Sequence, residues 1–313
     1  MLSATIDKYC YIACRWLPPF SECHSRIAYS TIENVASNDL IQHPSVRGCL
    51  QFLEISDGVE IHHVADLPAK TGLGTSSAFT VGLLLALRTL KNETADKHRL
   101  AMDAIHVEQE LLREAVGMQD QVSAAYGGFN RIDFHQSGNI EVQRVPASKS
   151  RLTELESHLQ LYFTGFSRTA SSIAQAQIRA TPQKTRELDT MLQLVSEGMD
   201  ILKGSAPLKH FGQLLHESWQ IKRTLTSVIS NTCIDELYAA GRDAGAIGGK
   251  LLGAGGGGFI LFFVPPERRQ ALRVRLNKLL RVPFSFSNKG TDVIVSESET
   301  DLHHQSLIAM STG

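Results

Sequence analysis

Alternating and clustered apolar residues in the first third of the chain predict strands, and a helical period follows them. The run from Ile6 to Leu17 is rich in Tyr, Ile, Cys and Trp, and we expect one strand there. Arg26–Ile32 and Val59–Val64 have the same character. Helical periodicity begins after Thr75 and returns over Thr94–Ala115, where most apolar positions share one broad face. The N-terminal half is therefore expected to mix strands and helices.

The second half repeats this mixture after a polar segment. Two alternating runs, Phe129–His135 and Asn139–Val145, flank a Gln-Ser-Gly turn and predict a hairpin. The charged segment Ala147–Glu156 is a candidate connection between two domains. The elements predicted beyond it are a strand at Leu159–Thr164, helices at Thr169–Arg179, Lys184–Lys203, Leu208–Ser227 and Ile234–Ala244, a strand at Phe259–Val264, a helix near Glu267–Leu280 and a last strand near Thr291–Val295.

Composition and charge exclude several classes of protein. The 31 Lys and Arg residues nearly balance the 32 Asp and Glu residues, so no overall field favours nucleic acid or an anionic membrane. The longest apolar runs, Val81–Leu87 and Phe259–Pro266, are too short to cross a bilayer. The five cysteines are scattered without a C-x-x-C pair, which argues against a zinc knuckle or a disulfide framework. We expect a cytoplasmic protein that binds any anion at a local site.

A segment rich in glycine and hydroxyl side chains, Gly72–Ser77, stands where a helix is predicted to begin. Free N–H groups at a helix start attract phosphate, and glycine lets phosphate oxygens approach them closely. The alternative is a plain helix cap formed by Ser76 or Ser77. A cap needs one hydroxyl and no Gly-x-Gly, so the segment favours a phosphate loop.

Two carboxylates are candidates for chemistry. Glu108 lies on an otherwise apolar helix face, and Asp120 follows the turn at Gly117. Such a pair could hold Mg²⁺ and accept a substrate proton. For Asp120 the alternative role is the N-cap of the next short helix. Glu110, two residues after Glu108, is expected to be solvated.

The second glycine cluster, Gly253–Gly258, fits G-x-G-x-x-G by spacing alone. A dinucleotide fold needs a strand before this turn and a helix after it, and the order predicted here is the reverse. A Walker A loop is also excluded, because Leu251 follows Lys250 where Ser or Thr is required. A close-packed turn and the lining of a site both remain open.

Arg168 is a third candidate, in a loop between a predicted strand and a helix that begins with several hydroxyl residues. This arrangement suits an anion, because guanidinium groups and helix starts both bind phosphate. A solvated surface arginine is the alternative. His62 and His63 point to opposite faces of a strand-like run, so a shared metal is not expected.

Three segments together resemble the GHMP kinases, a family named for galactokinase, homoserine kinase, mevalonate kinase and phosphomevalonate kinase. They are Pro68–Ala78, Gly117–Gln121 and Lys250–Gly258, and their order and spacing match over nearly the whole chain. Within the family, the sequences ATIDKY, GLGTSSAFTVGLL, GMQDQ, YFTGFSR, ISNTCIDELY and GGKLLGAGGGGF are most similar to kinases that phosphorylate D-glycero-D-manno-heptose 7-phosphate at its anomeric hydroxyl.

The resemblance implies an α+β fold of two domains with the site in the cleft between them. The N-terminal domain, residues 1–150, would be like ribosomal protein S5 domain 2 and would bind ATP. The C-terminal domain, residues 151–313, would be ferredoxin-like.

The resemblance also implies a role for each candidate residue. Asp120 would accept the proton of the sugar hydroxyl, and Glu108 and Ser76 would hold Mg²⁺. The residues expected to contact ATP are Gly72, Leu73, Gly74, Thr75, Ser76 and Ser77. Those expected to contact the sugar are Arg168, Gly255 and Gly256.

The implied activity is ATP-dependent formation of heptose 1,7-bisphosphate, on the way to nucleotide-activated heptose for cell-surface polysaccharide. Another sugar, such as fucose or galactose, is the alternative substrate, and a homodimer is left open. The family pattern also includes a segment R-x-P-x-R…G-G-G-T-D upstream of the residues that resemble Ala4–Tyr9. This sequence does not contain that segment, so we expect residues 1–313 to bind ATP weakly and turn over slowly. A non-catalytic nucleotide-binding protein is the further alternative.

Overall fold

In the part of the chain that the structure describes, the strands form three four-stranded sheets with helices packed on them. The structure is a computed structural model that describes residues 1–18, 20–69, 71–165 and 170–296. The strands are β1 (Leu2–Ile6), β2 (Cys10–Trp16), β3 (Ser25–Ala28), β4 (Ile32–Val35), β5 (Val59–Ala65), β6 (Phe129–Phe134), β7 (Ile140–Arg144), β8 (Leu159–Gly165), β9 (Gly248–Leu251), β10 (Gly258–Phe263), β11 (Leu280–Val282) and β12 (Phe286–Ser287). The α-helices are α1 (Pro44–Phe52), α2 (Thr75–Leu90), α3 (Lys97–His106), α4 (Gln119–Tyr126), α5 (Lys149–His158), α6 (Ala170–Ala180), α7 (Thr185–Lys203), α8 (Lys209–Leu225), α9 (Thr232–Asp243) and α10 (Arg269–Arg275).

The N-terminal core lies between a mixed sheet and helix α2. The sheet has the order β2-β5-β3-β4, and β3 and β5 are parallel. Leu83, Leu84 and Leu87 of α2 are fully buried in one cluster with Ile27 and Ile61 of the sheet. Leu87 is four positions after Leu83 and three after Leu84, so the three leucines lie on one side of the helix. The apolar run that follows the first glycine segment thus anchors α2 in the core.

The C-terminal core lies under an antiparallel sheet of order β11-β8-β10-β9. Trp219 of α8 and Tyr238 of α9 are buried in one cluster with Phe262 of β10. Gly248 lets α8 lie directly on β9, because a Cβ at this position would fall 1.9 Å from the carbonyl oxygen of Gly212. Helix α8 therefore runs over the strand that leads into the second glycine cluster.

The third sheet combines strands from both ends of the chain. Its order is β12-β1-β6-β7, with Thr5 opposite Ser287 and Ala4 opposite Phe129. The fold is α+β, as the sequence predicts. The boundary near residue 150 stays a prediction, since β12 joins a sheet otherwise built from the first half.

The expected single strand Ile6–Leu17 is wrong, because the chain changes sheets within it. β1 ends at Ile6, and β2 begins at Cys10 in a different sheet. Asp7 makes the break: its N–H donates to the carbonyl of Ser285 over 2.9 Å, and its Oδ1 accepts from the Ser285 N–H over 2.9 Å. Periodicity alone does not reveal such a crossing.

Three other segments differ from the elements predicted from the sequence, each for a local reason. Arg26–Ile32 spans two paired strands, β3 and β4, rather than one. Ala147–Glu156 is mostly helical, since Ser148 caps α5 by accepting from the Arg151 N–H over 3.1 Å. The glycine-rich stretch after Ala244 contains β9, which the sequence did not predict.

The C-terminal prediction is also wrong in part. The expected helix near Glu267–Leu280 is shorter, and Leu280 begins β11. No strand covers Thr291–Val295 among the described residues; Thr291 instead donates to the carbonyl of Ala124 over 2.9 Å. None of the described helices combines the length and the apolar character that crossing a membrane requires.

Candidate active site

The first glycine segment forms the entry to α2. The helix begins at Thr75, and Gly74 precedes it in a left-handed conformation, with φ 71° and ψ 18°. Among the described residues no side chain caps this end, so the alternative of a cap by Ser76 or Ser77 is not observed. The first N–H groups of a helix have no acceptor within the helix. They are consequently available to an anion at the start of α2.

The two glycine segments touch each other. A Cβ on Gly253 would lie 2.4 Å from Cα of Gly72, and a Cβ on Gly258 would lie 2.2 Å from the carbonyl oxygen of Thr71. Leu73 packs into an apolar cluster of the C-terminal sheet that includes Phe259. The loop ahead of α2 is therefore held against the C-terminal half of the chain.

Glu108 is the centre of a buried polar cluster behind this helix start. It is 1% exposed, and its Oε2 accepts from Oγ of Ser77 over 2.9 Å. Nε2 of Gln121 donates to the same oxygen. The other oxygen, Oε1, is buried without a described hydrogen-bond partner. A buried carboxylate oxygen in this state suits a divalent cation, because hard cations prefer oxygen ligands.

A π-helical turn places Glu108. Regular helix α3 ends at His106, and Val107–Leu111 continues as a π-helix. The Leu112 N–H accordingly donates to the Val107 carbonyl over 2.9 Å. Such turns alter which side of a helix a residue faces and are common at functional sites.

Asp120 lies beside the glycine loop on the first turn of α4. A Cβ on Gly74 would fall 3.2 Å from Cγ of Asp120. The N-cap of α4 is Met118, so Asp120 is not the cap. Burial raises the pKa of the Asp120 carboxyl, and the charge of Glu108 raises it further; a hydrogen bond with Gln119 and the charge of Lys222 oppose this.

The contacts of the remaining predicted site residues do not point to a specific role. Ser76 is exposed, and Ser77 is the hydroxyl that contacts Glu108. The N–H of Gly256 donates to the Ile229 carbonyl over 2.9 Å, and Gly255 also packs against Ile229. Arg168 lies outside the described residues. The roles of these residues stay predictions.

Two residues at the site were missed by sequence reasoning. Gln121 could have been found, because it follows Asp120 on the first turn of α4. Lys222 of α8 could not, since it belongs to none of the motifs and follows an ordinary helical pattern. Its Nζ donates to the carbonyl oxygen of Gly253.

Comparison with known proteins identifies the family. Residues 44–128 match the GHMP kinases N terminal domain, and residues 206–282 match GHMP kinases C terminal. The chain is 30% identical over 234 residues to a D-glycero-alpha-D-manno-heptose 7-phosphate kinase from Campylobacter jejuni. That match covers 74% of this chain and 69% of the relative. The chain belongs to the GHMP kinase family.

Further matches place this GHMP kinase among sugar kinases. A crystal structure of a D-glycero-D-manno-heptose 1-phosphate kinase from Bacteroides thetaiotaomicron superposes with a TM-score of 0.70 at 26% identity. The superposition covers 95% of this chain and 90% of the chain in that structure. A bifunctional fucokinase/GDP-fucose pyrophosphorylase from Arabidopsis thaliana is 28% identical over 71% of this chain, which spans 22% of that larger protein.

The geometry suits phosphoryl transfer in a GHMP kinase. The N–H groups at the start of α2 can bind the phosphates of ATP. The described residues contain no group of three or more His, Cys, Asp or Glu side chains that could hold a metal ion together, so Mg²⁺ at Glu108 would take its other ligands from phosphate and water. When bound, Mg²⁺ neutralises charge that develops on the phosphates. Asp120 can accept the proton of the attacking hydroxyl.

Glu108→Gln is expected to raise the Mg²⁺ concentration for half-maximal activity about 10-fold, which corresponds to about 1.4 kcal/mol of lost cation binding. The amide keeps an acceptor for Ser77 but removes the negative charge. The measurement is a Mg²⁺ titration of ADP release at saturating ATP. Glu110→Gln, on the same π-helical turn but exposed, is the matched control. An unchanged titration curve for Glu108→Gln would leave Glu108 a purely structural residue.

Proposed function

We propose that this GHMP kinase transfers the γ-phosphoryl group of ATP to the anomeric hydroxyl of D-glycero-D-manno-heptose 7-phosphate, with Mg²⁺ held at Glu108. The product would be the 1,7-bisphosphate. The observation that carries the proposal is the position of Asp120 beside Gly74, where a Cβ added at Gly74 would lie 3.2 Å from Cγ of Asp120. The proposed phosphate loop and the proposed proton acceptor are therefore in one place. The heptose as substrate rests on the Campylobacter jejuni relative.

In this reaction Asp120 takes the hydroxyl proton while the γ-phosphoryl group moves from ATP to the sugar oxygen. The carboxyl is ready for this role, because its raised pKa makes the ionised form a better base. The loop at Gly72–Ser77 binds the nucleotide phosphates through backbone N–H groups, so its contribution needs no side chain charge. Positioning and electrostatics of this kind account for most of the catalysis in phosphoryl transfer.

The test is an ADP-release screen over heptose 7-phosphate, unphosphorylated heptose, fucose, galactose and mannose. Phosphorus NMR of the product then reads the position of the new phosphate ester. We expect the highest kcat/KM with heptose 7-phosphate and a phosphate at the anomeric carbon. A preference for fucose would replace the proposed substrate and agree with the fucokinase relative. ATP binding without ADP release for any sugar would favour a non-catalytic nucleotide-binding protein.

Arg168→Ala is expected to raise KM for heptose 7-phosphate by about 10- to 100-fold, as for a lost hydrogen bond to a charged group. Guanidinium binds phosphate oxygens bidentately, so KM for unphosphorylated heptose should change much less. Steady-state kinetics with both sugars measure this. Arg179→Ala, an exposed arginine of α6, is the control. An equal rise in KM for both sugars would contradict the assignment of Arg168 to the substrate phosphate.

A further inference from the structure

Two lysines of the C-terminal half are associated with the second glycine cluster: Lys222 contacts it, and Lys250 lies on the strand just before it. Lys222 lies on α8, and Lys250 lies on β9. Nζ of Lys222 donates to the carbonyl oxygen of Gly253, the residue whose backbone touches Gly72. One donor of the ammonium group is thus used where the two glycine loops meet, and two more remain.

The charge of Lys222 is only partly balanced. Within the described part of the chain, neither Lys222 nor Lys250 has a carboxylate within ion-pair distance. Burial and, to a smaller extent, the charge of Lys250 lower the pKa of Lys222 to about 7, against the opposing effect of Asp120. Burial also lowers the pKa of Lys250. Half-buried ammonium groups without a counter-ion are costly unless an anion binds them.

The position of Lys222 selects the anion. The ammonium group donates to the carbonyl of Gly253, which contacts the phosphate loop at Gly72, and the Asp120 side chain lies beside the same loop at Gly74. The group that must pass between a phosphate loop and a proton acceptor is the phosphoryl group in transfer. A cation aimed at this group stabilises the charge on its oxygens.

We propose that Lys222 binds the γ-phosphoryl group during its transfer, donating hydrogen bonds to the non-bridging oxygens from its place at the Gly253 carbonyl. The inference rests on the proposed function. In the step, the bond between the γ-phosphorus and the ADP oxygen breaks, and ADP leaves with the electron pair. A bond forms between the phosphorus and the sugar oxygen, and the hydroxyl proton moves to Asp120. Lys222 forms no covalent bond.

The kinetic test uses Lys222→Met, which keeps the length of the side chain and removes the charge. We expect kcat to fall about 10²-fold, as when one donor to a developing anion is lost, with the affinity for ADP within threefold. Lys222→Arg should recover part of the loss. Lys209→Met, an exposed lysine at the start of the same helix, should behave as wild type. A rise in KM for heptose 7-phosphate alone would assign Lys222 to the phosphate ester of the sugar and overturn the proposal.

A second measurement on the unmodified chain does not depend on turnover or on the folding of a variant. A lysine with a pKa near 7 is partly neutral at pH 7.5 and reacts with an amine-acylating ester. Peptide mass mapping then gives the acylation rate of Lys222 with ATP, ADP, inorganic tripolyphosphate or heptose 7-phosphate present. We expect at least fivefold protection by ATP or tripolyphosphate and less by ADP.

The outcomes separate the two proposals. Equal protection by ATP and ADP, or no protection by any of the anions, would overturn the role of Lys222. Protection by heptose 7-phosphate but not by ATP would do the same and would point to the phosphate ester of the sugar. Protection by ATP in a chain that releases no ADP with any sugar would leave the phosphate contact standing and remove the proposed function.

Discussion

Asp120→Asn is expected to lower kcat at least ~10²-fold, the lower end of what general acid–base catalysis contributes. The amide occupies the same space beside Gly74 but cannot accept the proton of the attacking hydroxyl. The affinity for ATP should stay within a few-fold, because the proposed phosphate loop would bind ATP through backbone N–H groups of α2 and not through Asp120. Steady-state ADP release and calorimetric titration with ATP measure the two quantities.

The control for this substitution is Asp243→Asn, at the exposed end of α9. It changes the same group and should leave kcat unaltered. Retained activity in Asp120→Asn would mean that another group accepts the proton, and the assignment of Asp120 would be wrong.

The raised pKa of Asp120 predicts that the activity falls at low pH. The proposed proton transfer needs the ionised carboxylate, so kcat/KM should fall as the pH drops through a pKa above the ordinary value of about 3.9. A carboxyl whose pKa is higher in the folded state destabilises the fold at pH values above that pKa. The substitution by Asn removes this cost, so the melting temperature at pH 7 should not decrease. A lower melting temperature would show that the loss of activity includes a folding defect.

Gly253→Ala is expected to lower the melting temperature by several degrees and to weaken ATP binding about 10-fold. The new Cβ would stand 2.4 Å from Cα of Gly72, so the two glycine loops would have to separate. Overpacking of this kind costs about 1–3 kcal/mol, and a tenfold change in affinity corresponds to about 1.4 kcal/mol. Thermal unfolding and ATP titration provide the measurements.

The matched control is Gly138→Ala in the turn between β6 and β7. Gly138 has a positive φ of 86°, close to the 70° of Gly253, but no atom of the described residues lies within 4 Å of its added Cβ. Both substitutions therefore carry the cost of a left-handed alanine, about 1–2 kcal/mol, and only one forces backbones apart. Equal effects on stability and on ATP affinity would contradict a contact between the loops.

The sequence was sufficient for several local features of this kinase. Gly72–Ser77 has the composition of a loop that binds phosphate, and the apolar run after it forms α2 as predicted. The hairpin of β6 and β7 also follows from alternation and a Gly turn. These features depend on residues close together in the chain, so local propensity and periodicity determine them.

The sequence also singled out Glu108 and Asp120 as chemically unusual, but only the tertiary structure decided their partners. Glu108 meets Ser77 and Gln121 because a π-helical turn changes the side that it faces, and a period of 3.6 residues does not describe that turn. The crossing of the chain at Asp7 between two sheets was hidden for a similar reason, since its partner Ser285 is remote in sequence.

Lys222 is the clearest example of a residue whose place at the site could not be predicted from the sequence. Its own helix has an ordinary amphipathic pattern, and nothing near it in the sequence distinguishes it from the other lysines. The close approach of α8 to β9, permitted by Gly212 and Gly248, brings it to the carbonyl of Gly253. Chain composition and local periodicity determine which chemical groups this kinase carries and in which elements. Long-range packing of backbone on backbone decides which of them meet, because those contacts join residues that no local pattern relates.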